Sequence, residues 1–92
     1  MNSSDDKLKD MHLRGLKHWN ANRFKKAVYW FKRASMQDHL PSIHALAFAH
    51  LEGQGVEKNV DAGIAMIKFA ASKGHQPSID AIHFITSQND TQ

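Results

Sequence analysis

Histidine is the residue type best suited to do chemistry in this chain: seven occur among 92 residues, and there is no cysteine. Imidazole titrates near neutrality, so it can serve as metal ligand, general base or pH sensor. The spacings argue against a metal. His12 and His18, like His44 and His50, lie six residues apart, about 600° around a helix, which leaves the two rings roughly 120° out of line. No His-x-x-x-His pair, HExxH motif or EF-hand loop is present. No metal site and no cofactor is expected. Nucleophilic catalysis has no cysteine to use and no serine in a GxSxG setting. Ser42 and Ser78 follow Pro41 and Pro77 and read as capping residues at helix starts. Gly53 and Gly55 lack the further glycine or the lysine of a phosphate loop, so they read as a turn. The chain is not expected to be an enzyme.

A second chemistry is electrostatic. Residues 1–46 carry nine Lys/Arg against four Asp/Glu, whereas residues 47–92 carry three against five. Between Arg14 and Arg33 there are seven basic side chains and no acidic one, interleaved with Trp19, Phe24, Tyr29, Trp30 and Phe31. Cations that follow a backbone and rings that stack on bases are the needs of single-stranded nucleic acid binding. The basic face over residues 14–33 therefore offers an alternative function, binding nucleic acid or an acidic partner. A solvated helix face over a buried aromatic stripe accounts for the same residues, and Phe24 and Phe31 fall on the predicted core side.

The elements that position these residues are repeated. His39-Leu40-Pro41-Ser42-Ile43 recurs as His75-Gln76-Pro77-Ser78-Ile79 at an offset of 36 residues, and at that offset Ala34 meets Ala70 and Phe48 meets Phe84. Upstream the offset shortens to 32, pairing Gly15 with Ala47 and His18 with His50, and Gly53-Gln54-Gly55-Val56 supplies the four extra residues. Such spacing belongs to the solenoid range. Within each copy the apolar period is helical: Phe24, Ala27, Val28, Phe31 and Ala34 form one stripe, and Ile64, Ile67, Ala70 and Ala71 another. Asn59 or Asp61 can cap the second run, Gly74 can end it in a left-handed conformation, and Pro41 and Pro77 sit where new helices begin. Helices are predicted over about 5–20, 23–36, 41–52, 60–73 and 77–88, within ±2–4 residues, with no sheet. The longest apolar runs, such as Ala27–Phe31, are too short for a membrane span, and the amino terminus has no signal-peptide pattern. A soluble cytoplasmic protein is expected.

Leu46-Ala47-Phe48-Ala49-His50-Leu51-Glu52-Gly53-Gln54-Gly55-Val56, followed by Ala70-Ala71-Ser72-Lys73-Gly74-His75, resembles a Sel1-like repeat. Residues 12–38 resemble the related tetratricopeptide form through Gly15, Phe24, Lys26-Ala27, Trp30-Phe31 and Ala34. The chain departs from the family pattern at His18 and His50, where tyrosine is usual, at Gly63 in place of alanine, and at Met66 in place of tryptophan. Gly63 inside a helix should cost about 0.5–1 kcal/mol relative to alanine. The resemblance implies an all-α fold, a short right-handed α-solenoid of antiparallel helix pairs. One domain spans 1–92, with repeat 1 over about 5–38, repeat 2 over about 41–75 and a half repeat over about 77–88.

The resemblance also implies an adaptor that holds another protein or peptide in a concave groove lined by the first helix of each pair. Carried onto matching positions, the groove is His12, Leu16, Trp19, His44, Phe48, Leu51, Asp80 and Phe84. An inhibitor or immunity-type protein would use the same groove. The helix at 41–52 is apolar nearly all round, which means it is either sandwiched or leaves a sticky face. In the last helix Ile79, Ile82 and Ile85 should pack back on the preceding pair. Ala81 and Phe84 are left over, a patch that would suit a homodimer through the C-terminal helix.

Overall fold

A computed structural model describes residues 3–90. Five helices follow one another: α1 (Ser3–Asn20), α2 (Phe24–Ser35), α3 (Leu40–Glu52), α4 (Val60–Ser72) and α5 (Gln76–Asp90), with no strand among the described residues. Each packs mainly on its sequence neighbours, α1 on α2, α2 on α3, α3 on α4 and α4 on α5. The chain is therefore an all-α solenoid of helix pairs, elongated to 46 × 30 × 18 Å. No single pair of this length covers its own apolar face, so stacking makes the core.

Turns set this order. Gly74 (φ 92°) ends the second pair, and His75 N–H donates back to the Ala70 carbonyl at 3.1 Å. The first pair closes the same way 36 residues earlier: Asp38 takes the left-handed conformation (φ 58°), and His39 N–H donates to Ala34. Asparagine and aspartate tolerate that region better than other non-glycine residues. The turn between α3 and α4 is longer, as the four extra residues required. Asn59 caps α4 by accepting from Ala62 N–H at 3.0 Å, which decides between the two candidate caps. Gly55 is where this turn meets the first repeat. A Cβ there would lie 2.7 Å from the Phe24 carbonyl carbon and 2.9 Å from a Val28 methyl, so only glycine lets the turn close on α2.

The core centres on Ala27, Val28, Phe31, Leu46 and Ala49, with Leu16, Trp19, Ala45, Val56 and Met66 packed against it. The α2 stripe is buried as its period predicts, apart from the half-buried Phe24. In α4 the buried set is Gly63, Ile67 and Ala70, while Ile64 and Ala71 are half-buried. Gly63 corrects an expectation. A Cβ on it would stand 2.8 Å from the Ala47 carbonyl oxygen and 2.8 Å from Leu51 side-chain carbons. The glycine lets α3 and α4 approach closely, so it is more than a loss of helix propensity.

Candidate functional site

The first helices of successive pairs, α1, α3 and α5, carry the groove residues. Between α3 and α5 lies a cavity of about 430 Å³ lined by His44, Phe48, Leu51, Pro77, Asp80, Ala81, Phe84 and Ile85. A smaller one of about 120 Å³ is lined by Leu16, Trp19, Phe31, Ala45 and Phe48. Phe48 belongs to both, so the two form one apolar track across α1, α3 and α5. Phe48 and Leu51 are half-buried rather than sandwiched out of reach, and Phe84 is 64% exposed. Ile79, Ile82 and Ile85 are half-buried, in keeping with α5 packing on α4. All the predicted groove residues but His12 thus line the track. Pro77, Ala81 and Ile85 complete its α5 wall, so Ile85 reaches the track as well as α4 and Ala81 shares the cavity with Phe84.

His12 has another role, and with it comes a correction for the serines. Ser42 and Ser78 do not cap helices: His39 occupies the N-cap of α3, and both serines are fully buried inside their helices. His12 Nδ1 lies 2.8 Å from Ser42 Oγ, and His44 Nδ1 lies 2.7 Å from Ser78 Oγ. Each first helix is thereby hydrogen-bonded to the first helix of the next pair. Ser78 Oγ is also 2.8 Å from His75 Nδ1. A hydroxyl has one proton to give, so with both bonds made at least one of these two rings must carry its proton on Nδ1. The signal for these ties was in the sequence: His12 and His44 recur at an offset of 32, Ser42 and Ser78 at 36.

The histidines pack in tilted pairs, His12 with His39 (centroids 5.4 Å apart) and His44 with His75 (5.1 Å), each at 59° between ring planes. Burial is the main cause that pushes the pKa of His12, His39, His44 and His75 below 6.5. The charge of a neighbouring imidazole pushes His12 and His44 further down, while Asp5 opposes the shift at His39. Neutral rings at physiological pH suit ties and groove walls. His18 and His50, at the two equivalent positions, each have a buried Nδ1 with no hydrogen-bond partner. Among the described residues no group of three or more His, Asp or Glu side chains is placed to hold a metal ion.

The basic segment resolves ring by ring. Phe31 is 1% exposed, and Trp19 packs edge-on to Phe24 at 4.8 Å. Trp30 has the Arg14 guanidinium 5.2 Å from its centroid and that of Arg33 at 5.9 Å. Tyr29, 53% exposed, has Arg33 at 5.5 Å and Trp30 edge-on. Tyr29 alone among these five rings is exposed, and it carries the Arg33 guanidinium.

Comparison with known families gives two consecutive matches to the Sel1 repeat, at residues 10–39 and 40–75. A search of curated proteins returns no match. The first match covers α2 and most of α1, the second α3, α4 and the long glycine turn between them. Sel1 repeats are non-enzymatic modules that mediate protein–protein interaction. No helix among the described residues is long and apolar enough to cross a membrane. With both helix pairs matched and stacked as repeats, the chain belongs to the Sel1 repeat family.

Proposed function

We propose that this chain binds a segment of a partner protein in the track across α1, α3 and α5, with α5 acting as the first helix of a third repeat. The observation that carries this is Phe84: a phenylalanine 64% exposed on the wall of an apolar cavity whose other wall holds Phe48. Large aromatic side chains at the centre of a pocket are the usual anchors of protein recognition, and exposed apolar patches mark interaction surfaces. Asp80 and His44 supply polar groups at the rim, where they orient rather than anchor. An adaptor and an inhibitor would use this surface alike.

The test substitutes an anchor that contributes little to the fold. Phe84→Asp should leave the circular-dichroism melt within about 0.5 kcal/mol of the parent, as for an exposed site. Partners recovered on the immobilised wild type and identified by mass spectrometry should be lost, with purified pairs weakened at least tenfold. Sedimentation of the purified chain distinguishes the occupants: a two-chain species abolished by Phe84→Asp would make a second copy the occupant. Partners retained at full affinity by the variant would end the groove proposal.

A further inference from the structure

We propose that the flank of the α1–α2 hairpin carrying Arg14, Lys17, Arg23, Lys26 and Arg33 docks an acidic segment of a partner protein. This surface shares no residue with the groove, so the inference does not rest on that reading.

Three observations converge. The first is unbalanced charge. Seven cations lie between residues 14 and 33 with no carboxylate among them, and the only ion pair found among the described residues joins Arg14 to Asp10 at 2.8 Å. The remaining six cations have no carboxylate partner.

The second is focus. A cavity of about 420 Å³ is lined by Asp10, Arg14, Lys17, His18 and Arg23. Asp10 is the one opposing charge, and Arg14 already holds it. His18 sits where the cations meet: its pKa is pushed down by burial first, then by Arg23, Lys26 and Lys17 in turn. Concave surfaces of one sign concentrate the field and draw in a ligand of the other.

The third is local cost. Arg23 is the N-cap residue of α2 and makes no side-chain cap bond. Lys25 and Lys26 follow in a first turn that has no acidic residue. Cations at that end oppose the helix dipole, which favours carboxylates there. A local rule broken without compensation inside the fold is expected where function needs it. The missing compensation is an anion from outside.

The rings decide between anionic polymers. Single-stranded nucleic acid needs several open aromatic faces, but of the five rings only Tyr29 is exposed, and guanidinium groups lie over both it and Trp30. A chain of carboxylates needs only the cations, and the pinned guanidiniums are suited to pairing with them.

The experiment is fluorescence anisotropy with a labelled oligoglutamate peptide at low salt, against the intact chain. Binding is expected, and it should weaken steeply as salt is added. Arg23→Gln with Lys26→Gln should weaken it at least tenfold while raising the thermal midpoint, because two cations leave the positive end of α2. The matched pair Lys58→Gln with Lys68→Gln, also exposed, removes the same charge and should leave affinity within twofold. Absence of binding at low salt would overturn the proposal. Equal losses in the two double variants would reduce it to net charge and overturn it as a site. A midpoint that falls with the loss of binding would assign Arg23 and Lys26 to the fold instead. A labelled oligothymidylate bound as tightly as the peptide would replace the acidic protein segment with nucleic acid.

Discussion

The two repeats solve one packing problem with different residues. In the first pair, α1 presents Gly15 to Phe31 of α2, so closely that a Cβ on Gly15 would stand 2.6 Å from the ring's Cδ1. In the second pair the equivalent positions are Ala47 and Ile67, both fully buried, and the glycine has moved across to Gly63 on α4, against Ala47 and Leu51. One repeat sets a phenylalanine against a glycine, the other an isoleucine against an alanine. The interior conserves filled volume rather than residue identity, as expected where packing is dense and volume-neutral exchanges are tolerated. The polar ties differ as well. Ser42 serves one histidine and Ser78 serves two, so the second inter-repeat boundary depends more on its hydroxyl.

That asymmetry predicts the largest effect. Ser78→Ala would deprive both His44 and His75 of their Nδ1 partner and should cost about 2–3 kcal/mol, whereas Ser42→Ala, which affects His12 alone, should cost about 1–2 kcal/mol. Urea unfolding of the two variants checks the order, and equal losses would mean that the second imidazole adds nothing. A smaller effect tests the volume exchange. Gly15→Ala gains helix propensity but crowds Phe31, for a net loss of about 1–2 kcal/mol. Adding Phe31→Ile imports the pairing of the second repeat and should return part of that loss. A double-mutant cycle reads this as coupling between the sites, and strict additivity would refute the exchange.

The smallest effect is pH dependence. The paired histidines have folded pKa values below the 6.5 of the unfolded chain. The unfolded state therefore takes up protons first as pH falls, so the stability from neutral rings is complete above 6.5 and declines below it. The thermal midpoint should be lower at about pH 5 than at about pH 7.5. At His39 Asp5 opposes the downward shift while His75 and Lys9 add to it, whereas nothing raises the pKa of His44 or His75. Replacing His44 and His75 by glutamine should flatten the profile, and an unchanged profile would contradict the cited environments.

Much of the fold was legible along the chain. The 36-residue offset placed the pairs, the apolar period of α2 identified Ala27, Val28, Phe31 and Ala34 as its buried face, and Asn59 and Gly74 marked where α4 starts and ends. The residues that line the apolar track were legible in the same way, since Leu16, Phe48 and Phe84 occupy one repeated position and Trp19 and Leu51 another. A serine after a first-turn proline has the pattern of a cap, yet Ser42 and Ser78 do not act as one. The histidine three residues before each takes that place, and this frees the hydroxyl to face the previous repeat.

What the sequence determined by itself is whatever depends on neighbours in the chain: helical period, turn chemistry, repeat length and the sign of the charge over residues 14–33. What only the tertiary structure decided is whatever depends on distance between elements. It set His12 against Ser42 and His44 against Ser78, left no room for a side chain at Gly63, made Phe84 an exposed wall facing Phe48, and put guanidinium groups over Trp30. The physical reason is that a propensity is a property of one residue in its own backbone, whereas a hydrogen bond, a clash or a cavity exists only once two surfaces brought together by folding have met.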